Sequence, residues 1–407
     1  MGVESFAVRV SPERAQPGSK KHKTVSLPEE LIQEEILPRL PITSLVRFKL
    51  VCKSWRCLFS DPRFVKQHNN YQNPDDNDCL VVHKSNHIAI LSRYGEKFVL
   101  RSYGYRLIGS ANGLVCIRSG EVLSIWNPAT RQSMEFHLPP LGYGCLKRVG
   151  FGFDHVSNDY KVAICYNSLE FLRVFYAVYS CRSGTWTYHE FDHHDYEIII
   201  SKFEDSFTPT TMVKDSPYWT CSTIVSSRKD KINLSLVALK FDATSNEFKL
   251  LPDFSSDFSC EKTFKVLNMK GLLSFMAYEL CPVRKLEVYS LDEENGCGGG
   301  VWSKMYCFGP FEEFRRFRLL QQGFKNGDEI VIYDNAEIYR YNHKMGTFEC
   351  IPSTAPRFIL DCFTHTPSLV SLQGMTSIYS KNQTPPVGQH STTPLRLIDS
   401  LRDHLPF

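Results

Sequence analysis

The sequence predicts two structural parts: a small all-α unit near the N-terminus and, after it, a large all-β domain of the propeller class. Apolar residues recur at helical spacing within residues 26–64, whereas short strand-like runs fill most of residues 79–378. An apolar–aromatic pattern repeats along the second part, with lead aromatics separated by 53, 62, 48 and 52 residues: Trp126, Tyr179, Phe241, Tyr289 and Tyr341. With 42% hydrophobic residues, the 407-residue chain can bury a sizeable core.

Residues 26–64 carry the signals of three short helices. Ser26 can cap the first helix, with Pro28 in its first turn and Glu29 placed to return the capping bond. Pro38 and Pro41 should end that helix early, because proline removes a helical hydrogen bond. Each predicted helix has its own apolar group: Leu31, Ile32, Ile36 and Leu40; Ile42, Leu45, Val46, Phe48, Leu50, Val51 and Cys52; Trp55, Leu58, Phe59 and Phe64. So much apolar surface in so small a unit indicates that part of it serves a partner.

The order of sequence blocks in this unit resembles an F-box, particularly of the plant type. The blocks are Leu27-Pro28, Ile36-Leu37, Arg39-Leu40-Pro41, Ser44-Leu45, Arg47-Phe48, Val51-Cys52-Lys53-Ser54-Trp55, Leu58 and Asp61-Pro62 with Phe64. The resemblance implies docking onto a Skp-family adaptor of a cullin–RING ubiquitin ligase. It implies that these residues face the adaptor or support that surface: Leu27, Pro28, Ile36, Leu40, Pro41, Leu45, Val51, Trp55 and Leu58. Val46 and Phe48 are expected in the internal core, and an ordinary three-helix cap is the alternative.

The second part has the pattern of strands joined by tight turns. Turn pairs at 112–113, 270–271 and 326–327 predict hairpins. A period near fifty with four strands in each unit is the spacing of kelch-type propeller blades, and the length allows roughly six blades. Blades stacked around an axis bury faces that a single four-stranded sheet leaves exposed. A weaker first copy is predicted at Ile90-Leu91-Ser92 with Phe98, and the lack of a double glycine leaves blade number and closure open.

Three further blocks resemble plant F-box proteins that carry an F-box-associated, kelch-like C-terminal domain. They are residues 109–116 (GSANGLVC), 126–130 (WNPAT) and 150–162 (GFGFD, then DYKV). The predicted divisions are a disordered basic N-terminus at 1–25, the F-box at 26–68, a linker at 69–78, the F-box-associated, kelch-like β-propeller domain at 79–378 and a flexible C-terminal tail at 379–407.

Charge and cysteine usage exclude several classes of protein. The formal net charge is +3, and residues 1–25 alone hold five basic and two acidic residues, so the rest of the chain is neutral. A nucleic-acid partner is therefore not expected. Fourteen cysteines without a CxxC pair indicate reduced thiols. We find no apolar leader and no run of 18 apolar residues in the sequence. We therefore expect a soluble protein of the cytoplasm, the nucleus or both, with no membrane partner.

The sequence motifs predict no catalytic site, no metal site and no cofactor site. In a helix, His189 and His193 would share one face, as two ligands of a metal ion could. Their surroundings have the pattern of strand and turn, and no third spaced ligand is evident. The glycine-rich run at 296–300 lacks the lysine of a phosphate-binding loop. The basic–aromatic run Arg315-Arg316-Phe317-Arg318 can hold an acidic partner or form a solvated strand face.

The predicted function is the substrate-recognition subunit of an SCF-type (Skp–cullin–F-box) ubiquitin ligase, which captures a protein substrate with its β domain for ubiquitination and degradation. Substrate contacts are expected in the loops at 189–196, 205–219 and 311–318. The candidate residues in these loops are His189, Tyr196, Trp219, Arg315, Arg316 and Arg318. The alternatives are a non-degradative scaffold that binds the adaptor and a propeller enzyme with a helical cap.

Overall fold

The computed structural model describes most of the chain between residues 27 and 377. The described residues are 27–71, 79–84, 87–92, 95–101, 104–140, 145–168, 173–191, 210–228, 231–258, 262–279, 285–292, 300–308, 317–319, 329–334, 337–342, 344–352 and 359–377. The predicted turn at 326–327, the basic N-terminus and the C-terminal tail lie outside these residues.

Residues 27–71 form the helical unit. Helix α1 (Glu29–Leu31) continues as a π-helical turn (Ile32–Ile36) and a 3₁₀ turn (Leu37–Arg39), followed by α2 (Ile42–Phe48), α3 (Lys53–Leu58) and α4 (Pro62–Tyr71). The proline prediction is confirmed, because Pro38 lies in the 3₁₀ turn and Pro41 directly precedes α2. Helix α4 begins beyond a turn in which the Asp61 carboxylate accepts the Arg63 amide, 2.8 Å away.

The third predicted helix, whose apolar group ends at Phe64, is two helices in the structure: α3 ends at Leu58, and α4 runs from Pro62 to Tyr71. Its buried face consists of Phe64, Val65 and His68, and the His68 Nε2 atom lies 3.0 Å from the Leu40 carbonyl oxygen. The helix continues one turn beyond that contact to Tyr71. The prediction that a linker begins at residue 69 is therefore corrected, because burial of one helical face outweighs the polar composition of residues 69–71.

The β domain consists of six antiparallel sheets, each a blade. Blade 1 contains β1 (Cys79–Lys84), β2 (His87–Ser92), β3 (Gly95–Arg101) and β25 (Ile359–His365). Blade 2 contains β4 (Tyr105–Ala111), β5 (Leu114–Ser119), β6 (Val122–Asn127), β7 (Gln132–His137) and β26 (Thr376–Ser377). Blade 3 contains β8 (Cys145–Asp154), β9 (Asp159–Ser168), β10 (Arg173–Ser180) and β11 (Thr185–Glu190).

The other three blades follow the same order. Blade 4 contains β12 (Thr211–Val213), β13 (Ser216–Arg228), β14 (Lys231–Asp242), β15 (Glu247–Leu250) and β16 (Phe254–Phe258), with β15 and β16 on successive parts of β14. Blade 5 contains β17 (Lys262–Met269), β18 (Leu272–Glu279), β19 (Lys285–Asp292) and β20 (Val301–Phe308). Blade 6 contains β21 (Phe317–Leu319), β22 (Glu329–Asp334), β23 (Glu337–Asn342) and β24 (Thr347–Ile351). The predicted propeller with about six blades is confirmed.

The aromatic repeat marks one position in each blade. The lead aromatics lie on the third strand of blades 2 to 6, and the trailing aromatics or Met134 lie on the fourth strand. In three blades the two side chains stand directly opposite each other: Tyr179 and Trp186, Phe241 and Phe248, and Tyr341 and Phe348. The weaker first copy is blade 1, where Ile90 on β2 pairs with Phe98 on β3. These cross-strand pairs fill the space between neighbouring blades.

The two ends of the β domain meet in blade 1. Strand β25 pairs with β1 from His365 opposite Cys79 to Ile359 opposite Lys84, so the last long strand closes the ring. The chain then crosses blade 2, where β26 pairs with the outer edge of β7. No described helix is long and apolar enough to cross a membrane.

Alternating turns define two faces of the propeller. The proximal face carries the turns β4–β5, β6–β7, β8–β9 and β12–β13, and the chain enters β1 and leaves β25 there. The distal face carries the turn β5–β6 and the connections from the fourth strand of one blade to the first strand of the next.

Candidate functional site

The segment Thr366–Ser377, here called the strap, joins the propeller to the helical unit. It leaves β25 at the proximal face, and its Leu369 is buried within the apolar core of the helical unit. Val370 of the strap and Ala129 of the β6–β7 turn pack against the same cluster. Met375 packs on the core shared by blades 1 to 4. The helical unit is therefore attached to the proximal face through a shared apolar core.

The side chain of Asn127 anchors the strap. Its Nδ2 atom donates to the carbonyl oxygens of Ser368, at 2.9 Å, and Val370, at 2.7 Å. Its Oδ1 atom accepts the amides of Ala129, at 2.9 Å, and Thr130, at 3.2 Å. The fully buried amide thus ties the β6–β7 turn to the strap.

Gly113 allows the strap to approach the β4–β5 turn. Its φ is +83°, and that of the preceding Asn112 is +39°, as a tight hairpin requires. A Cβ atom at Gly113 would lie 2.1 Å from the Ser368 hydroxyl oxygen. Two of the blocks that carried the family resemblance, at 109–116 and 126–130, therefore serve the same contact.

The helical unit exposes a group of large apolar side chains, here called the apolar patch. Their exposed fractions lie between 40% and 81%, and the members are Leu27, Leu31, Ile36, Leu50 and Val51. In the described part of the propeller, exposed large apolar residues are spread over a much longer stretch of chain: Val156, Tyr188, Leu272, Val301, Met305 and Met345. A concentration of exposed apolar surface in so small a unit is typical of a protein-binding site.

The predicted adaptor residues divide into exposed and buried groups. Leu27, Pro28, Ile36, Pro41 and Val51 are exposed. Leu45 is fully buried, whereas Leu40, Trp55 and Leu58 are half-buried and pack against the same core, as do Val46 and Phe48. The second group supports the surface that the first group presents. Sequence reasoning did not assign Leu31 and Leu50 to this surface, although both lie in the predicted apolar groups.

Cys52 and Trp55 organise helix α3 beneath this surface. The Cys52 sulfur accepts the Trp55 amide at 3.5 Å and so caps the helix. The Trp55 ring lies between Phe48 and Phe59, with ring centroids 5.5 and 6.2 Å away. The Val-Cys-Lys-Ser-Trp block therefore sets the position of α3 against α2.

A buried ionic cluster joins blades 3 and 4 at the proximal face. The Lys161 ammonium donates to the Ala243 carbonyl at 2.6 Å and to Asn246 Oδ1 at 2.7 Å, and it lies 3.4 Å from Asp154 Oδ2. Burial acts to raise the pKa of Asp154, but hydrogen bonds from Ser157, Val156 and Thr244 outweigh it and hold the pKa below its ordinary value. The third resemblance block, at 150–162, thus serves contact between blades.

Asp215 connects three blades near the axis of the same face. From the β12–β13 turn, its Oδ1 atom accepts the Asn112 amide at 2.8 Å, and its backbone oxygen accepts the Phe153 amide at 3.0 Å. Its Oδ2 atom lies 3.3 Å from His155 Nε2, and this hydrogen bond raises the pKa of His155. Polar contacts at this face therefore join blades 2, 3 and 4.

The described residues that flank two of the three predicted substrate loops lie at the distal face, whereas the described end of the third loop, 210–219, contains the β12–β13 turn of the proximal face. Strand β11 ends at the distal face next to His189, and β20 ends and β21 begins there, so the connections containing 192–196 and 311–316 start and finish at that face. His189 is half-buried and stacks on Tyr176, with ring centroids 4.8 Å apart. Arg318 stands opposite Tyr333 in blade 6. Tyr196, Arg315 and Arg316 lie outside the described residues, as does His193.

Trp219 is corrected from a substrate contact to a core residue. It is 1% exposed, and its indole nitrogen donates to the Thr210 hydroxyl at 3.1 Å. A Cβ atom at Gly150 would lie 2.6 Å from the Trp219 ring, so the glycine of blade 3 makes room for this side chain of blade 4. Within the described ranges, no three His, Cys, Asp or Glu residues are grouped to hold a metal ion.

Two family models match this chain. Residues 25–67 match the F-box domain, and residues 60–353 match the F-box associated beta propeller domain. The two matches coincide with the helical unit and with most of the six blades.

Relatives in Arabidopsis thaliana are named as F-box proteins. The F-box/kelch-repeat protein At3g23880 is 23% identical over 374 residues, which cover 85% of this chain and 96% of the relative. The F-box protein At3g07870 is 23% identical over 388 residues, which cover 80% of this chain and 87% of the relative. An F-box followed by such a propeller is the architecture of a substrate receptor that binds a Skp-type adaptor. The chain belongs to the plant F-box proteins that carry an F-box-associated β-propeller domain.

Proposed function

We propose that this chain is the substrate-recognition subunit of an SCF-type ubiquitin ligase and performs no catalysis itself. The apolar patch binds the Skp-family adaptor, and the distal face of the propeller binds a protein substrate. The ubiquitin-transfer chemistry belongs to the cullin–RING subunits. The receptor raises the local concentration of substrate lysines near the ubiquitin-conjugating enzyme.

The exposed fractions of the apolar patch carry this proposal. Burying a few exposed leucine, isoleucine and valine side chains against a partner stabilises a complex, because each contributes roughly 1.5–3 kcal/mol when fully removed from water. The half-buried residues beneath the patch keep it in place without needing the partner. An adaptor bound at this surface explains why the helical unit keeps so much apolar area exposed to solvent.

The attachment of the helical unit to the proximal face also supports the proposal. Leu369 lies in the core of the helical unit, and Asn127 binds the strap on both sides of that residue. A propeller fixed in this way presents its distal face away from the helical unit. A fixed orientation suits a receptor that must hold a substrate at a set distance from the transfer site.

Adaptor binding is tested with the double variant Ile36→Ser/Val51→Ser. Both side chains are exposed, so we expect the fold to persist while adaptor affinity falls about thirty-fold or more. The measurement is co-purification and titration calorimetry with a purified Skp-family adaptor. The control is Val156→Ser, which removes an even more exposed valine from the propeller and should leave binding unchanged.

Two outcomes contradict the proposed interface. The first is wild-type affinity in the double variant, and the second is an equal loss in Val156→Ser. A reconstituted ligase then separates a receptor from a scaffold, because a receptor supports adaptor-dependent transfer of ubiquitin to the protein that it holds. Circular dichroism of each variant checks that the helical unit remains folded.

A further inference from the structure

The apolar core of the helical unit is completed by a side chain from outside that unit. Among the described residues, the buried members of this core that come from the helical unit itself are Leu37, Ile42, Leu45, Phe59, Phe64 and Val65. The remaining buried member is Leu369 of the strap, which lies 304 residues after Val65 in sequence. Its side chain is 1% exposed. The helical unit therefore shares its core with a segment that follows the last strand of blade 1.

A unit of this size depends strongly on each buried side chain. Residues 27–71 number 45, and so small a core is marginal unless something else supports it. A disulfide does not provide that support, because both cysteines of the unit, Cys52 and Cys57, are free thiols. Leu369 thus supplies a substantial share of the apolar area that the unit removes from water.

The same core sets the position of the apolar patch. Ile36, a member of the patch, is adjacent in sequence to Leu37, which is buried in the core. Val51, another member, donates its amide to the Phe48 carbonyl at 3.0 Å, and the Phe48 side chain packs against the core. A core that loses a side chain relaxes only partly around the cavity. A shift of Leu37 or Phe48 would therefore move residues of the patch.

The propeller holds Leu369 in place. Asn127 of blade 2 donates to the carbonyl oxygens on both sides of it, those of Ser368 and Val370, at 2.9 and 2.7 Å. The Ser368 hydroxyl accepts the Val370 amide at 3.2 Å. Asn127 and Ser368 are buried, where hydrogen bonds are stronger than in water. The position of Leu369 is therefore fixed by blade 2 and not by the helices alone.

We infer that Leu369 is a positioning residue of the adaptor-binding surface, supplied by the propeller domain. The inference rests on the proposed function, because it concerns the surface that binds the Skp-family adaptor. Leu369 has almost no exposed surface with which to contact the adaptor, so it acts through the core beneath the apolar patch. Binding free energies are reciprocal, so an adaptor that favours the ordered helical unit also favours the docked strap.

The first test is the variant Leu369→Ala in the full chain. Truncation of a fully buried leucine lowers the fraction of molecules whose helical unit can bind, and the apparent Kd rises by the same factor. Titration calorimetry with a purified Skp-family adaptor should show an affinity loss of roughly tenfold. Leu369→Met keeps most of the side-chain volume and should restore affinity to within about threefold of the wild type.

The matched control is Leu286→Ala on β19. This leucine is also fully buried, but it lies in a core shared by blades 5 and 6. Both alanine variants should lower the midpoint of thermal unfolding, whereas only Leu369→Ala should weaken adaptor binding. Circular dichroism checks that the β domain of each variant is folded at the temperature of the titration.

Hydrogen exchange of the wild-type chain tests the inference without a substitution. The amides of Val370 and Met375 make their hydrogen bonds within the strap. Adaptor binding should slow their exchange by about fivefold or more, because it stabilises the docked strap. The control amides are those of Lys344 and Met345 in blade 6, which bond to Asn342 and should exchange at an unchanged rate.

Three results would overturn the inference: wild-type affinity in Leu369→Ala, an equal affinity loss in Leu286→Ala, or unchanged exchange of the strap amides when the adaptor binds. If Leu369→Ala does not fold, the exchange measurement on the wild type decides. Retained adaptor binding that is lost in Ile36→Ser/Val51→Ser leaves the proposed function standing in each of these cases. A wild-type chain that does not bind the adaptor overturns the proposed function itself.

Discussion

The two faces of the propeller differ in what their charged and polar side chains contact. At the proximal face, Lys161 and Asp215 bind groups on other blades, and Asn127 binds the strap. At the distal face, Arg106 and Arg118 oppose each other within one blade. The proximal groups join separate parts of the chain and so stabilise the fold, whereas the Arg118 bond to the Gly120 carbonyl stays within one turn. Contacts that join blades therefore concentrate at the proximal face, where a substitution should cost the most stability.

The largest expected effect comes from Asn127→Ala. The substitution removes the four hydrogen bonds of a fully buried side chain and leaves the carbonyls of Ser368 and Val370 without this donor, so we expect a loss of about 4 kcal/mol in the free energy of unfolding. Urea unfolding of the full chain provides the measurement.

The matched control is Asn342→Ala in blade 6. Asn342 accepts the amides of Lys344 and Met345 in the equivalent turn, but the strap does not pass that blade. We expect a loss of about 1 kcal/mol there. Equal losses at the two positions would show that the strap contributes nothing to stability.

A smaller effect is expected from Asp154→Asn, which weakens the cluster between blades 3 and 4. Because hydrogen bonds hold the pKa of Asp154 below its ordinary value, its carboxylate stabilises the fold above the unfolded pKa of about 3.9. That stabilisation is lost as the pH falls from there through the folded pKa. We expect a loss of roughly 2 kcal/mol at pH 7, with the difference from wild type shrinking below about pH 4.

The control for this pH dependence is Asp253→Asn, which neutralises an exposed carboxylate. Its effect on the free energy of unfolding should be close to zero at neutral pH. A constant difference between Asp154→Asn and wild type down to about pH 3 would contradict the role of the carboxylate charge.

The smallest effect is expected from Arg182→Gln at the proximal face. The substitution removes a 3.1 Å bond to the Ser157 carbonyl, so stability should fall by about 0.5 kcal/mol. Thermal unfolding at low salt provides the measurement, and an unchanged melting temperature would mean that this exposed bond contributes nothing.

Local sequence features predicted the repeating architecture well. Turn pairs at 112–113 and 270–271 form hairpins with positive φ, and the repeated aromatics occupy one position in five blades. These features depend on residues that are close in sequence or lie on the next strand. They therefore recur along the chain at a regular spacing that the sequence shows. Pro38 and Pro41 ended the first helix for the same local reason.

Contacts between distant residues were not predictable in this way. The sequence predicted Trp219 to be a surface aromatic. In the structure it is buried, because Gly150, which lies 69 residues earlier, leaves room for its ring. Leu369 belongs to the core of a unit that ends near residue 71. No periodic pattern records such contacts, because each occurs once.

By itself, the sequence determined the helical unit, the strand repeats and the family resemblance, since spacing, proline and turn chemistry act locally. Only the tertiary structure decided that β25 closes the ring and that the strap fastens the helical unit to one face. The physical reason is that ring closure brings together chain ends hundreds of residues apart in sequence. Which charges then share a face depends on strand direction in six sheets at once.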